Sequence, residues 1–500
     1  MIRSHRRAYR VEIDRNKCVG CLLCVKNCPT EALSERIRET FPAPFLNFPE
    51  KCSGCLVCEE NCPVKAITVD PRFSEELLRG PWTSDVVETI HLKADTGKYA
   101  LRGYGASRRL PTLDDIIVVP AQLSKTPVDK YRQTCNTKVV IGGGNVKKPL
   151  VLDIPIIVGA MSYGALSKNA KMAMAKGAAL VGSASNTGEG GSFPEERKLA
   201  KNLVVQWSTG RFGCTSEYLK TASAIEIKIG QGAKPGMGGH LMAEKVTLDI
   251  SRIRGIPVGT DALSPCKHLD MTKPGDLSKH VEMLREVTDW QIPILIKLGP
   301  GNVYTDVMLA ASAEPDAISI DGMEGGTGTS PEVTTEHAGI PTLGCIVPTV
   351  KALKDSGQKD KIKLILLGGI KTGADAAKAI AMGFDAVGIA SAAMISLGCR
   401  VCKQCNTGKC VYGIATQDPI LTQRLGVDEG ARRLSNFLHV MNEELKILAM
   451  LAGHDDVHEL SVDDLRAVTR EASDITGLKL IGVNDAPNCN NHGLHLLCEH

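Results

Sequence analysis

Short apolar runs alternate with helical stretches between about residues 151 and 400. Such alternation is typical of βα units in which a parallel sheet is buried on both faces. We predict eight strands, at 154–158, 179–184, 203–207, 224–229, 292–298, 317–321, 363–367 and 386–390. Eight strands at this spacing predict an α/β fold, a (β/α)8 TIM barrel, whose reactive groups lie in the loops after the carboxyl ends of the strands.

The segments that flank the predicted barrel have different patterns. Residues 76–150 mix prolines, glycines and charges without a sustained period, which indicates an irregular connecting segment packed on the barrel. Its glycine triplet at 142–144 favours a plain turn over a phosphate loop, because no helix start follows it. Residues 426–500 begin with a helical apolar pattern, and Ser461 with Asp464 predicts the cap of a second helix.

Two cysteine runs precede the connecting segment and share one spacing, CxxCxxCxxxCP. Their cysteines are Cys18, Cys21, Cys24 and Cys28, then Cys52, Cys55, Cys58 and Cys62. In this pattern three thiolates surround one iron–sulfur cube and the fourth reaches the other cube. We therefore predict two crossed ligand sets, in which Cys28 and Cys62 exchange clusters. Zinc is the alternative, but zinc ribbons use paired CxxC units.

The N-terminal part, residues 8–75, resembles a bacterial-type ferredoxin with two [4Fe–4S] clusters. By this resemblance, a short helix opens after each run, at 29–33 and at 63–67. The sequence therefore divides into four predicted regions: a ferredoxin-like domain (1–75), a connecting segment (76–150), a barrel (151–425) and a helical extension with a tail (426–500).

The loops after the predicted strands are rich in glycine and in polar side chains. Glycines in the late loops of a barrel often bind phosphate through backbone N–H groups. A phosphate-bearing cofactor is therefore expected. Because iron–sulfur clusters handle single electrons, a flavin that converts them into a hydride is the cofactor that fits both features.

Several motifs in order resemble the synthase domain of the glutamate synthase family, from about residue 80 to 475. They are GAMSYGALS (159–167), NTGEGG (186–191), IGQGAKPG (229–236), GGTGTSP (325–331), KTG (371–373) and CVYGIATQ (410–417). The resemblance implies an FMN barrel that reduces 2-iminoglutarate to glutamate. One departure is Met237, where the family usually has glutamate.

The resemblance also implies which residues bind the flavin. Ala160, Met161 and Ser162 would line its ring, and Lys297 would stand at its pyrimidine end. A lysine at the end of an apolar strand is costly without a partner, which favours a function for it. The residues expected around the phosphate and the rest of the cofactor are Gly325, Gly326, Thr327, Gly368, Gly369, Asn186, Asp321 and Gly388.

The substrate residues implied by the family are Lys234, Arg254, Gln231 and Ser162, which would bind the two carboxylates of 2-oxoglutarate, with Glu189 near the imine. Arginine suits a carboxylate because its planar fork donates two parallel hydrogen bonds. Arg254 also lies in a basic stretch that is compatible with a helix surface. Lys228 is a further candidate contact.

A third cysteine group follows the last predicted strand. The family spacing selects Cys399, Cys405 and Cys410 and implies a [3Fe–4S] cluster. Cys402 departs from that pattern: it either completes a fourth corner, giving [4Fe–4S], or is a bystander on the loop, and the family spacing favours the bystander. Zinc is again the alternative.

The expected reaction joins ammonia to 2-oxoglutarate and reduces the imine to glutamate. The family's large enzymes also contain a glutaminase domain and a β-helix, so we expect a separate glutaminase subunit and a β-helix subunit. Reduction is expected from ferredoxin or from an NAD(P)H-oxidising subunit. The alternatives are an FMN and iron–sulfur oxidoreductase for another glutamate-derived compound, and a non-catalytic electron-transfer subunit.

Composition excludes several other classes. A net charge of +3 and 4% aromatic residues give no footprint for nucleic acid. No apolar run approaches the ~18 residues that cross a bilayer, so no membrane segment is predicted and a cytoplasmic location is expected. The tail residues Cys489, His492, His495 and Cys498 have metal-like spacing, although such residues in a glycine-containing terminus are more often idle.

Overall fold

The N-terminal part consists of two pseudo-equivalent halves. The computed structural model describes residues 9–38, 41–71, 84–273 and 275–483. The elements of this part are β1 (Tyr9–Ile13), α1 (Leu23–Lys26), β2 (Leu33–Arg38), β3 (Phe41–Leu46), α2 (Val57–Glu60) and β4 (Ile67–Pro71). β1 pairs antiparallel with β4, and β2 pairs antiparallel with β3.

The short helices of this part lie inside the cysteine runs and not after them, so their predicted positions were wrong. After each Cys-Pro step, Glu31 and Lys65 adopt positive φ angles of 55° and 48°, through which a helix cannot continue. The amide groups of Ala32 and Ala66 then donate hydrogen bonds to the sulfurs of the preceding cysteines, at 3.3 and 3.1 Å. A strand follows in each half.

The connecting segment is more regular than predicted. It contains α3 (Ser84–Thr96), β5 (Leu101–Arg102), β6 (Ile116–Val118), β7 (Val139–Ile141) and β8 (Leu150–Leu152). β7 and β8 form an antiparallel hairpin whose turn contains the glycine triplet. Buried side chains of this hairpin pack against Ala184, Ala224, Ala317 and Ala386 at the starts of barrel strands. The hairpin thus closes the amino end of the barrel and leaves the carboxyl end for the site.

Eight parallel strands form the barrel, which confirms the predicted fold class. In chain order the elements of this region are β9 (Ile156–Val158), α4 (Lys168–Leu180), β10 (Ala184–Asn186), α5 (Pro194–Leu199), β11 (Asn202–Trp207), α6 (Ser216–Lys220), β12 (Ala224–Lys228), β13 (His240–Leu241), α7 (Leu248–Arg254), β14 (Ala262–Leu263), α8 (Asp276–Val287), β15 (Ile294–Leu298), α9 (Val303–Ala311), β16 (Ala317–Asp321), β17 (Ser330–Pro331), α10 (Glu332–His337), α11 (Thr342–Asp355), β18 (Lys363–Leu367), α12 (Gly373–Ala381), β19 (Ala386–Ile389) and α13 (Ser391–Ser396). The sheet order is β10-β11-β12-β15-β16-β18-β19-β9, and β9 lies beside β10, so the barrel nearly closes.

The second predicted strand was placed too early. Residues 179–180 belong to α4, and the strand begins at Ala184. The run before it is rich in alanine and contains Gly177, where α4 approaches a C-terminal helix so closely that a Cβ would lie 2.9 Å from the carbonyl oxygen of Ala431. Small residues at a helix contact look apolar in the sequence, and they resemble a buried strand for that reason.

The barrel region ends with α14 (Pro419–Thr422), and the C-terminal extension contains α15 (Val427–Leu451), β20 (Leu465–Ala467) and α16 (Arg470–Thr476). The predicted helical pattern corresponds to α15, whose buried stripe faces α4 and α12. Ser461 and Asp464 do form a reciprocal capping box, but the element is a single 3₁₀ turn followed by β20, which pairs with β6. The chain therefore returns to the connecting segment instead of continuing as a helix.

None of the helices in the described ranges is both long and apolar enough to span a bilayer. The tail with Cys489, His492, His495 and Cys498 lies outside the described residues.

Candidate active site

A cavity of about 480 Å³ lies at the carboxyl ends of the barrel strands. Every predicted substrate and flavin residue except Asn186 lines it: Ala160, Met161, Ser162, Glu189, Gln231, Lys234, Arg254, Lys297, Asp321, Gly325, Gly326, Thr327, Gly368, Gly369 and Gly388. These residues come from loops that are far apart in the sequence. The barrel topology brings them to one end, as the fold requires.

The carboxylate of Glu189 is surrounded by cationic side chains in this cavity. Its Oε2 lies 3.0 Å from Nζ of Lys228 and accepts a hydrogen bond of 3.2 Å from Ser264. Burial raises the pKa of Glu189, but the charges of Lys228, Lys234 and Arg254 outweigh it and lower the pKa to about 2. The carboxylate therefore stays ionised at any physiological pH.

Lys234 and Arg254 are the buried cations of this group. Lys234 donates a 2.8 Å hydrogen bond to the carbonyl oxygen of Thr329, and burial lowers its pKa to about 8, although the charge of Glu189 opposes that shift. Arg254 donates to the carbonyl oxygen of Tyr163 at 2.8 Å. Its Nε is buried without a hydrogen-bond partner, so the guanidinium retains an unused donor.

Lys297 forms a second charged group, deeper in the barrel. Its Nζ lies 3.1 Å from Oδ2 of Asp321, at the end of β16. Burial alone lowers the pKa of Lys297, but the charges of Asp321 and Glu226 overcome burial and raise it. The lysine therefore remains a cation inside the barrel.

Asn186 differs from its predicted role, because it lies outside the lining of the cavity. Its amide nitrogen donates to Oε1 of Glu226 at 3.0 Å, and its amide oxygen accepts from the backbone N–H of Gly188 at 2.9 Å. Gln206 donates to the same Glu226 oxygen at 2.7 Å. Asn186 thus holds the loop that carries Glu189, and both polar atoms of its side chain have partners within the protein.

The glycine loops leave room where a phosphate would lie. Gly368 and Gly369 have φ angles of 103° and 72°, which residues with side chains rarely adopt. A Cβ on Gly326 would lie 2.7 Å from Oγ of Ser391, and one on Gly388 would lie 2.7 Å from Cδ2 of Leu367. Because side chains are excluded at these positions, the backbone itself lines the cavity, and the loops leave room for a phosphate group.

The cysteines line three smaller cavities. One is lined by Cys18, Cys21, Cys24 and Cys62, and a second by Cys28, Cys52, Cys55 and Cys58, which are the two crossed sets expected from the spacing. Thiolate sets of this kind suit [4Fe–4S] clusters. Within the described residues, no group of three or more Cys, His, Asp or Glu side chains is identified as a site for a single metal ion.

The third cavity lies at the junction of the ferredoxin-like part and the barrel. It is lined by Cys399, Cys402, Cys405 and Cys410. Burial, together with the charges of the neighbouring sulfurs of Cys410 and Cys399, raises the pKa of Cys402 to about 11. Cys402 therefore lies with the three cysteines of the family spacing.

Shared residues connect the cavities in a row. Cys55 lines both the second ferredoxin cavity and the junction cavity, and Cys405 lines both the junction cavity and the barrel cavity. Tyr412 donates a 2.8 Å hydrogen bond to the carbonyl oxygen of Cys55, and Arg400 forms an ion pair of 2.5 Å with Glu60. The ferredoxin-like part is thus attached to the barrel beside the third cysteine group.

Sequence reasoning missed several residues that line the barrel cavity or hold its loops. Gln206 and Glu226 carry a usable signal, because each is a polar residue inside an apolar strand. Tyr104, whose hydroxyl lies 2.7 Å from Sγ of Cys399, and Lys245, which donates to the carbonyl oxygen of Cys405 at 2.7 Å, also line the barrel cavity. Neither of these two lies in a recognisable motif.

Comparisons with known proteins agree with this arrangement. Residues 108–455 match the family model described as the conserved region in glutamate synthase, and residues 11–34 and 48–68 match a 4Fe–4S binding domain. A glutamate synthase large subunit-like protein of Rhizobium meliloti is 41% identical over 414 residues, covering 80% of this chain and 94% of the relative.

Relatives that match nearly the whole chain carry similar names. The archaeal-type glutamate synthase (NADPH) of Thermotoga maritima is 39% identical over 501 residues, covering 96% of this chain and 92% of the relative. The archaeal glutamate synthase (NADPH) of Methanocaldococcus jannaschii is also 39% identical and covers 95% of this chain and 98% of the relative. The chain therefore belongs to the glutamate synthase family, as an oxidoreductase with a 4Fe–4S ferredoxin region ahead of its barrel.

Proposed function

We propose that this chain is the catalytic subunit of a glutamate synthase, which converts 2-oxoglutarate to glutamate by FMN-dependent reductive amination through 2-iminoglutarate. The observation that carries the proposal is the charge balance around Glu189. Three cationic side chains, Lys228, Lys234 and Arg254, surround this one carboxylate. The excess of two positive charges complements a dicarboxylate substrate.

The residues around the cavity fit FMN. Ala160 and Met161 would lie against the ring, and the glycine loops at 325–326 and 368–369 would surround the phosphate. The backbone N–H groups of Gly326, Gly368 and Gly369 would be its donors, since that of Gly325 donates to the carbonyl oxygen of Gly322 at 2.8 Å. Lys297 would place its cation at the pyrimidine end, where negative charge is stabilised. When bound, FMN supplies the hydride that reduces the imine carbon.

The substrate residues divide by charge. Arg254 and Lys234 would bind the carboxylates, with Gln231 and Ser162 donating further hydrogen bonds. Glu189, which remains ionised, would lie beside the nitrogen of the imine and stabilise its positive charge. The carbonyl oxygens of Thr329 and Tyr163 hold the two cations in place before substrate binds.

Three iron–sulfur clusters are proposed: two [4Fe–4S] clusters in the ferredoxin-like domain and a further one at the junction, which supply single electrons when bound. The row of cavities supports an order in which the set with Cys55 is nearer the junction and the set with Cys18 is farther from it. The four regions 1–75, 76–150, 151–425 and 426–500 would then serve electron entry, packing, catalysis and support.

Partners complete the proposal. Ammonia would come from a separate glutaminase subunit, with a β-helix subunit in the same assembly, in the cytoplasm. The electron donor would be ferredoxin or an NAD(P)H-oxidising subunit. The names of the Thermotoga and Methanocaldococcus relatives mention NADPH, which supports the second donor.

An anaerobic single turnover tests the proposal. The flavin of the purified holoprotein is photoreduced, 2-oxoglutarate and excess ammonium are added, and flavin reoxidation is followed together with glutamate. We expect about one glutamate per flavin. A flavin that remains reduced would refute ammonia-dependent synthesis by this chain, and reoxidation by another glutamate-derived imine alone would favour a different substrate.

A further inference from the structure

The loop that carries the third cysteine group has the backbone conformation of the two ferredoxin loops. Each loop has the spacing CxxCxxC, beginning at Cys18, Cys52 and Cys399. In each loop the residues immediately before and after the middle cysteine have positive φ. The angles are 68° and 57° at Gly20 and Leu22, 64° and 62° at Gly54 and Leu56, and 57° and 59° at Val401 and Lys403.

The strain in the third loop indicates that this conformation has a purpose. Glycine adopts positive φ at little cost, and the ferredoxin loops use it before the middle cysteine. The third loop has Val401 there, a β-branched residue for which positive φ is a true outlier. Outliers of this kind persist where the surrounding structure requires them, commonly at functional sites.

Hydrogen bonds to sulfur are also repeated between the loops. The backbone N–H of Val401 donates to Sγ of Cys399 at 3.4 Å, and Gly54 is the corresponding donor to Cys52. Similarly, the backbone N–H of Gln404 faces the sulfur of Cys402 as that of Val57 faces Cys55. In its hydrogen bonding, Cys402 thus occupies the same position in the third loop as Cys55 does in the second ferredoxin loop.

The sulfurs of the third group face one space. Cys399, Cys402, Cys405 and Cys410 line the same junction cavity. Contacts on either side hold the loop: the carbonyl oxygen of Lys403 accepts a 2.9 Å hydrogen bond from Gly103, and the hydroxyl of Tyr104 lies 2.7 Å from Sγ of Cys399. The position of Cys402 is therefore defined by its neighbours.

We propose that Cys402 is the fourth ligand of the third cluster, which is then a [4Fe–4S] cluster held by Cys399, Cys402, Cys405 and Cys410. A three-iron cluster uses three thiolates and leaves the fourth idle, whereas a cube takes four. The Cys402 thiol loses its proton to solvent as its sulfur binds the fourth iron, and no electron is exchanged. This inference rests on the proposed third cluster but not on the identity of the substrate.

Spectroscopy of the full-length holoprotein, prepared and oxidised anaerobically, tests the proposal. We compare the wild type with Cys402→Ala and, as a control, with Cys266→Ser, which removes an exposed cysteine outside the three cavities. We expect the wild type and the control to lack the electron paramagnetic resonance signal of an oxidised [3Fe–4S] cluster. Cys402→Ala should show about one such spin per chain, and the same spin should return when the protein is reoxidised anaerobically after incubation with ferrous iron and reductant.

The proposal is overturned if the wild type itself contains about one [3Fe–4S] spin per chain and that spin returns in full on anaerobic reoxidation after incubation with ferrous iron and reductant. If Cys402→Ala assembles no third cluster, the Mössbauer spectrum of the iron-enriched wild type decides. Three [4Fe–4S] clusters would support the proposal, and two [4Fe–4S] clusters with one [3Fe–4S] cluster would overturn it. Neither spectrum depends on turnover, so a protein that makes no glutamate would refute the proposed function without affecting this result.

Discussion

At the scale of single residues, the chemistry of the barrel cavity depends on how strongly burial opposes charge. Lys234 and Glu189 are neighbours in the same environment, yet the pKa of one is lowered to about 8 and that of the other to about 2. Burial disfavours both charges, but Glu189 has three cations around it, whereas Lys234 has one anion and the repulsion of Lys228. Of the two, Lys234 is therefore the group whose pKa lies nearer to neutral pH.

We predict that 2-oxoglutarate binding weakens as pH rises through about 8, because Lys234 is cationic below its pKa and neutral above it. Lys234→Met should weaken binding by roughly 10- to 100-fold, which is the value of a hydrogen bond to a charged group, and should abolish this pH dependence. The dissociation constant is measured from the flavin absorbance without ammonium, so that the ionisation of ammonia does not enter. Lys168→Met, at an exposed ion pair, is the control. A wild-type constant that does not change with pH across this range would contradict the assignment.

Glu189→Gln should affect turnover more than binding. The amide keeps the shape but removes the negative charge proposed to stabilise the imine, so we expect kcat to fall by roughly 100- to 1,000-fold. At a pH low enough to keep Lys234 cationic, the KM for 2-oxoglutarate should stay the same or decrease, since the cations are no longer neutralised. The pKa of Lys234 should also fall, because Glu189 raises it.

Steady-state kinetics measure the effects on kcat and on KM separately. Glu195→Gln, which changes an exposed carboxylate, is the control. An increase in KM with unchanged kcat would show that Glu189 acts only in binding.

At the scale of elements, α15 fixes the outer layer of the barrel by approaching two helices very closely. At Gly177 of α4 and at Gly373, the first residue of α12, an added Cβ would collide with the backbone of α15. The backbone N–H of Gly373 also donates a 2.8 Å hydrogen bond to Oε2 of Glu444. Small residues at both contacts allow one long helix to hold the two flanking βα units together.

Gly373→Ala should therefore destabilise the protein by about 1–3 kcal/mol, the usual cost of overpacking a tight contact. The new methyl group would lie 2.5 Å from Cβ of Glu444 unless the helices separate. The midpoint of thermal unfolding of the holoprotein measures the effect. Gly275→Ala is the matched control, since nothing lies within 4 Å of a Cβ at that position. Equal midpoints for the two variants would show that α12 and α15 can move apart without cost.

At the scale of the whole molecule, the proposed entry of electrons passes through a small junction between the ferredoxin-like part and the barrel. The described contacts include the hydrogen bond from Tyr412 to Cys55 and the ion pair between Arg400 and Glu60. The ion pair is half-exposed and contributes little in water. The hydrogen bond of Tyr412 joins the ferredoxin-like part directly to the segment that follows the third cysteine group. It should therefore contribute more than the ion pair to the alignment of the two cysteine groups.

Tyr412→Phe should slow flavin reduction through the ferredoxin-like clusters by roughly 2- to 10-fold, which corresponds to the 0.5–1.5 kcal/mol of a neutral hydrogen bond. Single turnover from photoreduced flavin should be unchanged, because it does not use the junction. Stopped-flow flavin reduction with a chemical donor measures the first rate, and Tyr304→Phe, at a surface hydrogen bond, is the control. A variant that is slow in both assays would place Tyr412 in folding instead of electron entry.

The sequence by itself determined those features whose signals are local. Buried strands are recognisable because their apolar runs need no partner to be identified. All eight predicted strands overlap those observed, although the second does so at Ala184 alone. The cysteine runs are equally local, since a cluster fits only a narrow range of spacings. The stripe of α15 follows from a period of 3.6 residues, which the helix has in isolation.

The tertiary structure decided where local signals are ambiguous or absent. The end of the alanine-rich helix α4 looks like a strand in the sequence. Its small residues lie at a contact with α15, which only the folded chain reveals. The sequence predicts that Asn186 binds the cofactor, but its side chain forms hydrogen bonds with Glu226 and Gly188. The charge of Glu189 and the position of Cys402 depend on groups distant in the sequence, because Coulomb and hydrogen-bond partners are determined by proximity in space and not by order along the chain.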